Sequence, residues 1–174
     1  MSTRLYSLLV ATDVSALLLH IYTPWSGVVW KRNDILTCFV AMFDLAKDET
    51  SHKLINEFWA HNKIVSAVCH GPAALAYVKL PSGQYLLSGQ SVTGFSNAEE
   101  DQAGLSAAMP FMLEDQLNTA SGGKFVKAAE AWAPKVVVSG GGRIISGQNP
   151  SSAGPLGQAI YDGIFGQLTT KDEV

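Results

Sequence analysis

The sequence predicts an α/β protein built on a mostly parallel sheet, and three observations carry that reading. From Asp44 onward, helical and extended signals alternate, which is the pattern of strands covered by helices. Ile64 to Val68 is a short apolar, β-branched run of the kind buried strands show, and Gly71-Pro72 follows it as a helix opening. Gly140 to Gly142 separates Lys135 to Ser139 from Arg143 to Ser146, as in a hairpin or two adjacent strands.

Taken in order, Ser7 to Ala11 reads as an opening strand and Ile35 to Met42 as another, whereas Ile21 to Asp34 has no clear period. Leu54, Ile55, Phe58 and Trp59 recur at helical spacing between Thr50 and His61 and form an apolar stripe to set against the sheet. The Ile64 to Val68 strand and the helix from Gly71-Pro72 come next. Leu80 to Gly89, with Pro, Gly and Ser, reads as a turn with a short strand, and Ser91 to Phe95 as a strand end. Asn97 to Met109 is expected to be helical. A further helix over Phe111 to Thr119 stops near Gly122-Gly123. After the two strands around the three glycines, Ser151 to Phe165 closes the fold with Leu156, Ile160 and Ile164 on one face, and Thr169 to Val174 is a polar, fraying end. No internal repeat or low-complexity tract is visible.

A chain of 174 residues fits one domain with one core, 1–174. Lys and Arg number 12 against 15 Asp and Glu, for a net charge of −3, and no basic run offers a footprint for nucleic acid. Leu5 to Tyr22 is apolar after Arg4, but Asp13 interrupts it and the flanking stretches fall short of the roughly 18 residues that a membrane span needs. A soluble protein without a membrane partner is expected. Cys38 and Cys69 could in principle pair, but without a secretory signal the chain reads as reduced and intracellular.

Cys69 is the residue to watch, because it stands where a buried strand turns into a helix. A thiol beside a helix N-terminus meets partial positive charge and amide donors that favour the thiolate. A strand–nucleophile–helix elbow also exposes the side chain at the top of a sheet, near amides suited to a developing oxyanion. His70 adds a proton carrier next to it. The blander alternative is a small buried hydrophobe with an incidental neighbour. Glu100 likewise has two readings: Asn97-Ala-Glu-Glu100 matches a capping box in which Glu100 reaches back to Asn97, or the carboxylate orients a base. Glu99 could substitute in a register shifted by one. Asn149-Pro150 reads as a turn and helix entry, and Phe95 and Trp132 as core or pocket wall rather than chemistry.

Four stretches carry a resemblance. Ala-Val-Cys69-His-Gly-Pro-Ala-Ala-Leu, Ser91-Val-Thr-Gly-Phe-Ser-Asn-Ala-Glu-Glu100, Met109-Pro-Phe-Met-Leu-Glu-Asp115 and Ser146-Gly-Gln-Asn-Pro-Ser-Ser-Ala153 together resemble the ThiJ/PfpI superfamily. The match is nearest to its branch of glutathione-independent glyoxalases, also described as stress-inducible chaperones. It covers residues 41–165 and leaves 1–40 atypical. The resemblance implies a flavodoxin-like α/β sandwich, with the site at the C-terminal ends of the strands. It implies that Cys69 is the nucleophile, His70 its partner and Glu100 the acid of a triad. It further implies a homodimer, a cytoplasmic and also nuclear location, and a small 2-oxoaldehyde substrate, with no metal or organic cofactor. The reaction would be methylglyoxal to D-lactate, a carbon–oxygen lyase activity of the D-lactate dehydratase type. Cys69 would add to the aldehyde as a hemithioacetal, a base would move a proton between the adjacent carbons through an enediolate, and water would release lactate.

Two departures stand against the family pattern. Members carry Gly-Gly-His-Gly just before their Met-Phe-Asp-Leu stretch, and here those positions read Thr37-Cys38-Phe39-Val40. Members also bear a glutamate near the end of the first strand, beside the cysteine; here no Glu precedes Glu49, and Asp13 is the nearest acid, with Asp34 a poorer second. The N-terminal part is shorter than the family's, as a truncated or spliced beginning with missing strands would make it. The alternatives to the glyoxalase are therefore a catalytically impaired holdase or redox sensor on the same fold, and an amidase or hydratase.

Overall fold

The computed structural model describes Ser7–Val10 and residues 41–166. Among the described residues, four strands form one sheet in the order β1-β2-β4-β3, where β1 is Ser7–Val10, β2 Ile64–Val68, β3 Val136–Ser139 and β4 Ile144–Gly147. β1 runs parallel to β2 with Ser7 opposite Ile64, and β2 parallel to β4 with Val65 opposite Ile144. β3 and β4 pair as an antiparallel hairpin turned by Gly140 to Gly142. The fold is thus the mixed, mostly parallel α/β type that the alternation of signals predicts.

β2 is buried at all its positions, which requires cover on both faces and explains its unbroken apolar character. Helix α1, Glu49–Ala60, and helix α5, Ala153–Phe165, both pack on β2. Asp48 caps α1 by accepting the Ser51 amide at 2.6 Å. Ile55 of the anticipated stripe is buried and Phe58 and Trp59 are partly so, but Leu54 is 44% exposed, because one residue of helix turns it about 100° away from Ile55. The core joins Met42, Ile55, Leu75, Leu87, Leu113, Leu117, Ile144, Ile145 and Leu156. Arg143 stacks on Trp59 at 3.6 Å and donates to the Trp59 carbonyl and to Asn62, fastening the hairpin to the end of α1.

Several expectations need correction. The strand expected over Ile35 to Met42 does not include its last two residues, which begin a π-helical turn, Ala41–Leu45; the remainder lies outside the described residues. So do all of Ile21 to Asp34 and the tail from Thr169. The helix after the elbow, α2, is only Ala73–Ala76. Asn97 to Met109 is not one helix: α3, Asn97–Ala103, stops at Gly104 in the left-handed region, and a 3-10 turn, Ser106–Ala108, follows. Ser91 to Phe95 forms no strand beyond an isolated bridge from Val92 to Phe125, because two of its amides turn elsewhere, Thr93 to the Ser146 hydroxyl and Phe95 to the Cys69 carbonyl. Leu80 to Gly89 likewise holds no strand, and its neighbour Lys79 makes a single bridge to Tyr85. Helix α4, Leu113–Ser121, and α5 form where helices are expected, but each begins two residues later than the sequence suggests, α4 also running two residues further and α5 following a 3-10 turn, Pro150–Ser152. Among the described residues no helix is long and apolar enough to cross a membrane.

Gly147 ends β4 in a place too tight for a side chain. A Cβ there would meet the Ser152 Cβ and a Val68 methyl at 3.1 Å and a Leu156 methyl at 3.3 Å. Two of these atoms lie close to rigid backbone, so the collision has no cheap relief. Gly147→Ala is expected to cost about 1–3 kcal/mol in urea unfolding, while Gly154→Ala, in α5 with open space around the added Cβ and no left-handed backbone, is expected to cost nothing; equal stability of Gly147→Ala and the parent chain would refute the close approach.

Candidate active site

Cys69 follows the last residue of β2 and has φ +62, a backbone conformation that costs a non-glycine residue about 1–2 kcal/mol. Two hydrogen bonds hold it there. Its amide donates to the Gly147 carbonyl at 3.0 Å, one step beyond the β2–β4 ladder, and its carbonyl accepts the Phe95 amide at 2.9 Å. At about 1 kcal/mol net each, such bonds match the conformational cost. The Gly71 amide then closes a turn on the Val68 carbonyl at 2.9 Å, and Pro72 enters the short α2 with no amide to lose. A sharp strand-to-helix elbow with Cys69 strained at its tip is the result.

The structure brings all three residues singled out in the sequence together. The Cys69 sulfur lies 3.4 Å from His70 Nδ1, and His70 Nε2 lies 2.8 Å from Glu100 Oε2. All three are 2% exposed. An ionised carboxylate can only accept, so Nε2 carries a proton, and Nδ1 is left to accept one from the thiol. A thiol, an imidazole and a carboxylate thus stand in series, an order that could serve as nucleophile, base and orienting acid. The Phe95 ring lies 4.4 Å from the imidazole, tilted by 35°, and the Trp132 indole meets Phe95 edge-on at 5.4 Å. Phe95 is therefore wall to the site. Trp132, at 41% exposure, is not core.

The two readings of the Asn97 segment separate onto adjacent glutamates. Ser96, not Asn97, is the N-cap, and the capping box runs from Ser96 to Glu99. Asn97 caps nothing. Glu100 is thereby released from capping, and its Oε1, buried, makes no hydrogen bond. Glu99 is the residue that sequence reasoning undervalued. Its Oε2 accepts from the Ser96 amide at 2.9 Å and hydroxyl at 2.7 Å. Its Oε1 accepts from the Trp132 amide at 2.9 Å, Gln148 Nε2 at 3.0 Å and Asn149 Nδ2 at 2.8 Å. Burial alone would raise the Glu99 pKa, but the bonds from Asn149, Ser96 and Trp132 outweigh it and hold the carboxyl below its ordinary range. The signal was present as Ser96-x-x-Glu99, the capping-box spacing one residue earlier than the one read; nothing local announces Gln148 and Asn149 as donors. Asn149 also opens the turn before α5, as expected, in a capping box with Ser152.

Asp13, Asp34, Cys38 and the Thr37 to Val40 stretch lie outside the described residues. Among the described residues, no group of three His, Cys, Asp or Glu side chains converges on a point that could hold a metal ion.

No protein-family model matches the chain. It is 34% identical to a glutathione-independent glyoxalase of Schizosaccharomyces pombe over 125 residues, which are 68% of this chain and 50% of that protein. Among solved structures, it resembles the Rapid Encystment Protein 24 KDa of Francisella tularensis, with TM-score 0.68 and 39% identity over 72% of this chain and 54% of that one. It also resembles glyoxalase III of Candida albicans, with TM-score 0.65 and 27% identity over 71% of this chain and 53% of that one. The chain spans about half the length of the curated relatives it matches. It is a homologue of proteins named glutathione-independent glyoxalases, as the four stretches of sequence suggest.

The lowered pKa of Glu99 makes stability pH-dependent with a definite sign. In the unfolded chain this carboxyl protonates near about 4.3; in the folded chain it does so at lower pH. Its contribution is therefore present above that range and is lost as pH falls from there through the folded value. Urea unfolding is expected to show a steeper acid loss in the parent than in Glu99→Gln, which is less stable at neutral pH; parallel acid limbs would contradict the assignment.

Proposed function

We propose that this chain, a homologue of glutathione-independent glyoxalases, converts methylglyoxal to D-lactate with Cys69 as nucleophile, as an enzyme of the glyoxalase III or D-lactate dehydratase type. The observation that carries the proposal is the series Cys69 Sγ, His70 Nδ1, His70 Nε2 and Glu100 Oε2, at 3.4 Å and 2.8 Å. Homology to proteins of that name supports the substrate, and the geometry supports the chemistry.

The thiol proton passes to His70 Nδ1, and the thiolate adds to the aldehyde carbon to give a hemithioacetal. Proton transfer from that carbon to the neighbouring ketone carbon, through an enediolate, yields a lactoyl thioester. Water then hydrolyses the thioester and regenerates the thiol, so the net reaction is methylglyoxal plus water giving lactate. His70 is placed for the proton movements nearest the sulfur, and Glu100 stabilises the imidazolium that forms when Nδ1 takes a proton. Phe95 excludes water from one side of the ring. The two hydrogen bonds to the Cys69 backbone hold the base of its side chain in place beside His70, a form of preorganisation that spends no energy at the moment of reaction.

Incubation with methylglyoxal and a stereospecific lactate assay test this reading. The parent chain is expected to form D-lactate, and Cys69→Ala none above background. His70→Ala and Glu100→Gln are expected to lose about 10²–10⁴-fold in turnover, the range for a removed general acid–base partner. Equal lactate from the parent and Cys69→Ala would sink the proposal.

A further inference from the structure

The Glu99 carboxylate bonds to Ser96, Trp132, Gln148 and Asn149 rather than to Cys69 or His70, yet both of its oxygens lead to the same imidazole. Through Oε2 it takes the Ser96 amide and hydroxyl and so sets the first turn of α3. The next residue of that turn is Glu100, which holds His70 Nε2 at 2.8 Å. Through Oε1 it takes the amide of Trp132, a residue with φ +67 that needs such a tether to stay in the left-handed region. The indole of Trp132 leans edge-on against Phe95, and Phe95 lies 4.4 Å from the His70 ring. The imidazole is thus gripped at its edge by one arm and at its face by the other. Gln148 and Asn149, which follow β4, complete the five donors. With every lone-pair direction engaged, Glu99 has no capacity to exchange a proton itself.

We infer that Glu99 is a positioning residue that fixes the orientation and tautomer of His70 through Glu100 on one side and Trp132 and Phe95 on the other. The sulfur–imidazole contact of 3.4 Å is within reach of a thiol donor, but a thiol is a weak donor whose bond depends on direction, so a small rotation of the ring decides whether the proton can pass. A carboxylate that sets both supports of the ring controls that rotation. The kinetic part of this inference rests on the glyoxalase reading; the ring orientation does not.

The test uses the full chain in two measurements. The first is 15N NMR of histidine-labelled protein, with the His70 ring nitrogens identified by their loss in His70→Gln. The second is methylglyoxal kinetics. In Glu99→Gln the amide places a donor against donors, and the His70 ring signals are expected to move toward an average of the two neutral tautomers. Turnover is expected to fall about tenfold to a hundredfold, as for a misplaced reacting group, with KM within about twofold. In a Glu100→Gln background the same substitution is expected to add little, because its main route is already cut. Asn149→Ala, which withdraws one donor of the five, gives the same displacement in weaker form and takes the place of Glu99→Gln where that variant does not fold. Unmoved His70 signals in a folded variant would overturn the inference, as would effects of Glu99→Gln and Glu100→Gln that simply multiply. A parent chain that forms no lactate counts against the glyoxalase reading alone, since the ring signals still decide the role of Glu99.

Discussion

The left-handed backbone of Cys69 is the constraint on which the site depends. It exists because two segments distant in sequence meet it: β4 through the Gly147 carbonyl and the 91–95 segment through the Phe95 amide. The constraint propagates outward. Gly147 must lack a side chain so that Val68, Ser152 and Leu156 can close around it, and the 91–95 segment gives up a strand ladder to reach the elbow and Ser146. Secondary structure is thus sacrificed at the very place where the chain turns from sheet to site, a local inconsistency of the kind expected at functional positions.

How far the sequence revealed this follows the range of each interaction. β2, the hairpin around Gly140 to Gly142, α4 and α5 are set by local periodicity and turn chemistry, and they stand within two residues of where those signals put them. Cys69, His70 and Glu100 were found through an elbow pattern and a family resemblance, and the structure brings them within 3.4 Å and 2.8 Å of one another. The positive φ of Cys69 could be anticipated only from the elbow. What was missed was either non-local or a matter of one residue. Ser96 and Asn97 are both good caps, and the choice between them was made by Asn97 turning to Asp115 and Glu114 on α4, contacts 17 and 18 residues away. The five donors of Glu99 come from three separated stretches, at 96, at 132 and at 148–149, and no local rule links them.

The placement of the two glutamates divides two incompatible tasks between neighbours. A helix start wants a carboxylate that stays put, and a histidine partner wants one aimed at a ring. One side chain serving both would have to split its oxygens between the Ser96 amide and the His70 Nε2. Successive helical positions point about 100° apart, so Glu99 can turn toward Ser96 and Trp132 while Glu100 turns toward His70. Both are buried beside the N-terminus of α3, where the helix dipole favours negative charge.

The hydrogen-bond inventory of these two carboxylates distinguishes support from chemistry. Glu99 receives five donors and is locked in its ionised form, since protonation would force at least one donor to lose its partner. Hydrogen bonds to a charged group contribute about 1.5–3 kcal/mol each, so the lock is strong, and a group locked this way can hold its surroundings but not trade a proton. Glu100 makes its one bond to His70 with Oε2, and its buried Oε1 receives none. An acceptor left unsatisfied in the interior costs about 1–3 kcal/mol, and such a cost persists where the free lone pairs have a use. Attraction between Glu100 and an imidazolium grows as charge appears on the ring, and no competing donor on Glu100 dilutes it. Spare acceptor capacity therefore sits on the carboxylate that faces the proposed proton carrier, and saturation on the one that holds the framework around it.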